Sequence, residues 1–208
     1  MRNHVKKRAA SRTSHEFDSI STNCDIEVMP AKRAELAILT HMAHRMVPGV
    51  QIAEPVLGKY LAFDPECILT FSRQQRLLGG MAFLYLNNRG HDALILDEIS
   101  LTHPDIGLLA SRDQEVSAIY IWAIAATGRG IAGLGNAAAH LRKPRYVDAD
   151  CFAHPSTTAG RDLLVATGFR PIPSFQPDLW CYERPWNRLR ATLPTPWISS
   201  RSLADARQ

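Results

Sequence analysis

The chain has 208 residues, of which 46% are hydrophobic and 21% charged, and its formal net charge is +4. This length and composition suit one soluble globular domain with tails. No run of about 18 apolar residues is present, which argues against a membrane span. The basic start has no apolar segment of the kind that a secretory signal needs.

Positive charge is concentrated at the two ends of the chain. Residues 1–14 contain five basic side chains and no acidic one, and arginine is frequent again from residue 184 onward. Such tails could contact nucleic acid, but the basic residues are not interleaved with aromatic ones, which argues against that partner. We predict a disordered basic arm over 1–22, a folded domain over 23–184 and an irregular tail over 185–208.

The four cysteines, at positions 24, 67, 151 and 181, are scattered and include no C-x-x-C pair. This spacing argues against a zinc site and favours a reducing compartment. We therefore predict a cytoplasmic protein.

The first half of the chain predicts two helices followed by antiparallel strands. A short strand over 24–29 precedes a helix over 31–46, in which apolar residues recur at three- and four-residue spacing. A second helix is predicted over 54–63. The stretches 67–71 and 77–86 predict a hairpin that turns near Gln74 and Gln75, and Gly79-Gly80 predicts a bulge or a close approach by another group.

After this hairpin, the stretch 87–90 (NNRG) is a strong turn signal. Residues 93–99 are apolar enough for another strand, which would carry Asp97 and Glu98 on opposite faces. A loop is predicted over 102–114.

The stretch 115–142 then combines an apolar strand, a glycine-rich turn and an Ala-rich helix. Residues 116–122 predict a strand buried on both faces, glycines stand at 128, 130, 133 and 135, and residues 136–141 favour helix. This arrangement directs unpaired backbone N–H groups and a positive dipole end towards a phosphate. Arg129 could add a charge-assisted contact.

Three interpretations of these glycines stay open on residue pattern alone. Gly128, Gly130 and Gly133 fit the G-x-G-x-x-G pattern of Rossmann domains, although that pattern normally opens a parallel domain. The glycines could also serve only tight packing between strand and helix. The third interpretation depends on a family that the segment 127–132 resembles, as described below.

The remaining elements complete a mixed α/β, or α+β, fold. We predict a strand over 146–152 and a helix over 156–167 that is capped by Ser156, Thr157 or Thr158 and ended by Gly168. Short strands over 169–172 and 179–182 follow. Antiparallel strands leading into one strand–loop–helix unit indicate a mostly antiparallel central sheet flanked by helices.

The segment 127–132 (TGRGIA) resembles the Q/R-x-x-G-x-G/A loop of the GNAT superfamily of acyl-CoA N-acyltransferases, with Thr127 in the Gln/Arg place. The order strand, loop, helix, strand, helix and the terminal Gly168-Phe169 are also similar to that family. The chain departs from its N-x-x-A-x-x-L-Y pattern, because Thr157 stands at the Asn and Leu164 at the Tyr that serves as general acid.

The resemblance implies a GNAT-like fold that binds acetyl-CoA or another acyl-CoA and transfers the acyl group to a primary amine of a small molecule or protein. Since many members of the family are dimers, it also implies a homodimer. The implied base is Glu115, Asp97 or Glu98, and Tyr182, Tyr146 or a water would replace the missing acid. The implied cofactor-binding residues are Trp122, Ala123, Ile124, Thr127, Gly128, Arg129, Gly130, Ile131, Ala132 and Thr157.

Leu164 also motivates an alternative, a non-catalytic GNAT-fold protein that binds acyl-CoA or a protein partner. Acyl-homoserine-lactone synthesis is a variant within the same fold, but the Arg/Trp pattern that those synthases carry near the N-terminus is missing. His154 and Ser156 do not form a nucleophile elbow, and we interpret His154 as a strand-end residue.

Overall fold

A computed structural model describes residues 16–23, 25–49, 52–185 and 187. These residues form a seven-stranded sheet in the spatial order β1-β2-β3-β4-β5-β7-β6. The strands are β1 (Glu27–Pro30), β2 (Ile68–Arg73), β3 (Arg76–Leu86), β4 (Ala118–Ala126), β5 (Asp150–Ala153), β6 (Arg170–Pro171) and β7 (Trp180–Tyr182). All neighbouring strands are antiparallel except β4 and β5, which are parallel. The predicted mixed, mostly antiparallel sheet is thus confirmed.

Five α-helices accompany the sheet in the described part of the chain. They are α1 (Leu36–Met46), α2 (Glu54–Phe63), α3 (Asn88–Ile95), α4 (Leu134–His140) and α5 (Thr158–Ala166). A 3-10 helix over Gly128–Gly133 leads directly into α4. Within the described residues, none of the helices has the length and apolar character that crossing a membrane requires.

The β2–β3 hairpin turns where the sequence predicts it. Gln74 and Gln75 have φ values of 49° and 64°, and Arg73 pairs with Arg76. Two consecutive positive φ angles characterise the tight turn whose twist matches a hairpin.

Gly80 on β3 allows the neighbouring strand β2 and the helix α1 to approach closely. A Cβ atom at this position would lie 2.7 Å from Leu69 O and 2.9 Å from Leu39 Cδ2. The predicted close approach is therefore present, and it sets α1 against one face of the sheet. On the opposite face, the 3-10 helix packs with Gly133 against the ring of Phe71. The sheet is covered on both sides, and the apolar core is continuous across it.

Two predicted elements differ from the structure. Residues 93–99 do not form a strand, because α3 occupies Asn88–Ile95 and its N-terminal cap is Asn87, within the predicted turn. The predicted strand over 146–152 shortens to β5, since residues 144–148 form turns. α5, capped by Thr157 and followed by Gly168 at φ 88°, matches its prediction.

Residues 16–23 pack against the domain, although the sequence placed its boundary after residue 22. Phe17 is 1% exposed and makes ring contacts with Phe169 and Tyr182. Asp18 accepts a hydrogen bond from the guanidinium of Arg184, which is itself buried. The first described residues are thereby joined to the end of the domain. Residues 1–15 and most of the predicted tail lie outside the described residues.

Candidate active site

The main cleft of the protein opens where β5 leaves β4. The two strands pair from Ala118 with Asp150 to Ile121 with Ala153, after which β5 ends. β4 continues to Ala126, so its last five residues have no partner strand on the β5 side. A cleft of about 1200 Å³ occupies this place and is bordered by α5 and the end of α1.

A β-bulge lies at the point where the strands separate. Ala82 of β3 pairs with Ala123, but the next residue, Phe83, pairs with Ile121, which leaves Trp122 as the extra residue of β4. The indole N–H of Trp122 donates a 2.7 Å hydrogen bond to Leu101 O, and its ring contacts Tyr60 edge-on. These contacts fix the bulge, and with it the unpaired backbone groups of β4 beside the cleft.

The glycine segment follows immediately at the end of β4. Thr127 is anchored to β3, because both its amide and its hydroxyl donate to Leu78 O, at 2.8 and 3.1 Å. Its side chain does not cap the 3-10 helix that follows, so the first amides of that helix are left without this partner. Gly128 has φ 54°, and nothing lies within 4 Å of the position that a Cβ would take. This segment borders the cleft through Ile131.

Solved structures with similar folds were found. The loading GNATL domain of CurA from Lyngbya majuscula gives a TM-score of 0.55 at 11% identity, and the match covers 76% of this chain and 97% of that domain. Seven strands in this order, with one parallel pair splayed at a bulge, agree with that likeness. The chain has the GNAT fold.

Two further GNAT-fold structures resemble the chain less closely. Naa50 from Arabidopsis thaliana, solved with a bisubstrate analogue of coenzyme A, gives a TM-score of 0.46 at 13% identity, over 76% of this chain and 95% of that chain. The GphF GNAT-like decarboxylase, solved with isobutyryl-CoA, gives 0.43 at 13% identity, over 61% of this chain and 64% of that chain. No family model matches the sequence, and neither does any curated protein.

Half of the cofactor-binding residues that the GNAT resemblance implied line the cleft. These are Trp122, Ala123, Ile124, Ile131 and Thr157. Thr127, Gly128, Arg129, Gly130 and Ala132 belong to the adjoining loop and helix and do not line it. Of these, Arg129 is exposed. Gly130 is buried, and a Cβ there would lie 3.0 Å from Leu78 Cβ, so this glycine also serves close packing.

Leu164 lies in the cleft at the place where the GNAT pattern has tyrosine. It is buried on α5, and Leu163 and Val165 line the cleft beside it. Thr157 begins the same helix, and its hydroxyl accepts a 2.9 Å hydrogen bond from Gly160 N. The helix thus presents an apolar wall to the cleft in place of a phenol.

The acids and the tyrosine that the sequence nominated for catalysis lie elsewhere. Glu115 precedes β4 at the end remote from the cleft, and Glu98 is exposed in the turn after α3. The position of Glu98 differs from the prediction because α3 takes the place of most of the strand predicted over 93–99. Tyr182 is buried on β7 and donates a 3.1 Å hydrogen bond to Asp18, and burial raises the pKa of its phenol to about 12. None of the three lines the cleft.

The titratable groups that do line the cleft are His154, Asp162 and Tyr120. His154 is exposed directly after β5. Tyr120 is on β4, and among the described residues no group forms a hydrogen bond with its hydroxyl. Burial raises the pKa of this phenol, so it stays protonated at neutral pH.

The sequence predicts that His154 and Tyr120 lie beside and on strands, but it does not predict that both line one cleft. His154 is predicted to be a strand-end residue, and in the structure it follows β5 and lines the cleft. The sequence predicts that Tyr120 lies on a strand buried on both faces. Only the departure of β5 exposes part of that strand to a cavity.

Proposed function

We propose that this protein is an acyl-CoA-dependent N-acyltransferase. The observation that carries the proposal is the cleft between β4 and β5, which adjoins a glycine segment whose first amides lack a side-chain cap. Backbone N–H groups and the dipole at the start of such a segment favour an anionic ligand. An acyl-CoA has both a thioester, which would lie in the cleft, and a pyrophosphate, which would bind the glycine segment.

In the proposed complex the loop residues Gly128 and Arg129 hold the pyrophosphate. Gly128 leaves open space beside the backbone, and the exposed guanidinium of Arg129 adds positive charge. The pantetheine arm then extends beside the unpaired end of β4, where it supplies the strand partner that β5 no longer provides. Trp122, Ala123 and Ile124 contribute the backbone at the reacting carbonyl.

The proposed reaction needs one base and one acid. A neutral amine attacks the thioester carbonyl, whose oxygen is stabilised by a β4 backbone N–H. The C–N bond forms and the C–S bond breaks, so that an amide and a coenzyme A thiolate result. We assign to His154 the removal of the ammonium proton and to Tyr120 the donation of a proton to the thiolate. Both side chains line the cleft, which Glu115, Glu98 and Tyr182 do not.

A matched pair of variants at Gly128 tests the cofactor site. Asn and Asp have nearly the same shape and both tolerate positive φ, so Gly128→Asn and Gly128→Asp place the same strain on the loop. Only aspartate adds a negative charge beside the proposed pyrophosphate. We expect acetyl-CoA to raise the melting temperature of the wild type and of Gly128→Asn, but not of Gly128→Asp.

Binding of coenzyme A by neither the wild type nor Gly128→Asn, measured by calorimetry, would contradict the proposed function. Equal binding of coenzyme A by Gly128→Asn and Gly128→Asp would show that the pyrophosphate does not bind at this loop.

Leu164 favours a second function, a non-catalytic GNAT-fold protein that binds acyl-CoA without transferring it. A screen of amines with acyl-CoAs of several chain lengths, acetyl-CoA included, distinguishes the two. For the enzyme, we expect Tyr120→Phe and His154→Gln each to lower kcat by about 100-fold, the order of a lost general acid or base, while coenzyme A affinity is kept. Binding without turnover in the wild type would instead support the binding protein.

A further inference from the structure

We propose that the acyl group this cleft accepts is a medium-length alkyl chain rather than acetyl, and that the chain lies beside Leu164. This inference rests on the proposed function, since it presumes an acyl-CoA in the cleft. It concerns the identity of the acyl group, which the GNAT fold leaves open.

The size of the cleft is the first argument. Its volume of about 1200 Å³ exceeds the roughly 300–1,000 Å³ of ordinary small-molecule pockets. Leu164 is 6% exposed and directs an aliphatic side chain, instead of a phenol, to the cavity. Ala153 and Ala166, which also line the cleft, have small side chains and fill little of its volume.

The chemical character of the lining is the second argument. Among the described residues that line the cleft there is no lysine or arginine, and Asp162 supplies the sole carboxylate. The lining includes the apolar side chains of Val47 and Ile52, which follow α1 in the chain, and of Leu101. An anionic acyl group would lose its hydration here and would meet no lysine or arginine among these lining residues. An alkyl chain loses only unfavourable contact with water.

Exposed apolar residues around the mouth are the third argument. Met46, Ile131 and Val165 are 39%, 43% and 54% exposed, lie on three separate elements, and all line the cleft. Grouped apolar exposure of this kind marks a ligand or interaction site. An alkyl chain that enters between these side chains removes their surface from water.

Affinity for three ligands tests the inference: free coenzyme A, acetyl-CoA and octanoyl-CoA. We expect octanoyl-CoA to bind the full-length protein at least about tenfold more tightly than acetyl-CoA, because each buried methylene contributes to affinity. Equal affinities for the two thioesters would overturn this inference and leave the proposed function intact. If none of the three binds, the proposed function itself fails.

A pair of methionine variants locates the chain. Met46→Gln changes a half-exposed residue at the cleft, and Met29→Gln changes an exposed one on β1 that does not line it. We expect Met46→Gln to weaken octanoyl-CoA binding several-fold with free coenzyme A unaffected, and Met29→Gln to change neither. Leu164→Phe, which narrows the cleft, should likewise weaken octanoyl-CoA more than acetyl-CoA. Octanoyl-CoA binding unchanged in both cleft variants would place the chain elsewhere and overturn the inference.

Discussion

His140 lies in a polar cluster that joins the end of α4 to the residues before β2. Its Nε2 is 3.4 Å from Glu66 Oε2, close enough for an ion pair but without hydrogen-bond geometry. Tyr146 and Lys143 both donate hydrogen bonds to the same carboxylate, at 2.7 and 2.8 Å. Burial, and then the charge of Lys143, lower the pKa of His140 below its ordinary value of 6.5, although Glu66 opposes them.

This pKa shift predicts a loss of stability in mild acid. Since the folded-state pKa is the lower one, the unfolded chain binds a proton to His140 more tightly. The contribution to stability is therefore complete above about pH 6.5 and is lost as the pH falls below it. We expect His140→Gln to reduce the slope of unfolding free energy between about pH 7 and pH 5, measured with urea. An unchanged slope would contradict the role of His140. His41→Gln, at an exposed position on α1, is the control.

At the scale of elements, α3 shows how a turn pattern can begin a helix. Asn87 Oδ1 accepts a 2.9 Å hydrogen bond from Gly90 N, so the residues NNRG cap a helix instead of closing a hairpin. The side-chain nitrogen Nδ2 of Asn87 also donates to the carbonyls of Gly107 and Leu109. One end of this side chain thus caps the helix, and the other end makes the tertiary contacts.

Two substitutions separate these roles of Asn87. Asn87→Ala removes the cap and both donated bonds, and we expect it to lower the free energy of unfolding by about 2 kcal/mol, the upper range for a lost cap. Asn87→Asp keeps an oxygen for Gly90 N but places a carboxylate against two carbonyls. Chemical denaturation should rank the wild type as most stable. An aspartate variant as stable as the wild type would show that the donated bonds contribute nothing.

The sequence predicted the central elements well because local pattern decides them. The β2–β3 hairpin, α2, α5 with its cap at Thr157, and the strand–glycine–helix unit all have strong local signals. The bulge at Trp122 has none, because it depends on the register between β3 and β4.

At the scale of the whole molecule, the described N-terminal segment closes the domain against its end. Arg184 is 1% exposed, and besides its contact with Asp18 it donates hydrogen bonds to Ala149 O and Leu141 O, both at 3.0 Å. The carbonyl of Ser21 lies against Gly135, where no side chain would fit. One buried guanidinium thereby joins residues from three parts of the chain.

Truncation of the chain measures how much residues 16–23 contribute to stability. A chain that starts at residue 24 lacks Phe17 and Asp18, whereas one that starts at residue 16 keeps them. We expect the shorter chain to melt at a clearly lower temperature, because it loses a buried aromatic ring and leaves Arg184 without its carboxylate partner. Equal melting temperatures would mean that residues 16–23 add no stability.

The sequence alone determined most of the sheet-forming and helix-forming segments, with 93–99 as the exception, as well as the glycine segment after β4 and the GNAT-like order. Hydrophobic period, glycine and cap residues act over a few neighbours, so these features are written locally. Only the tertiary structure decided which side chains share the cleft. Where β5 leaves β4 depends on pairing between segments about thirty residues apart. That separation opens the cleft that Tyr120 and His154 line, while Glu115 and Glu98 lie outside it.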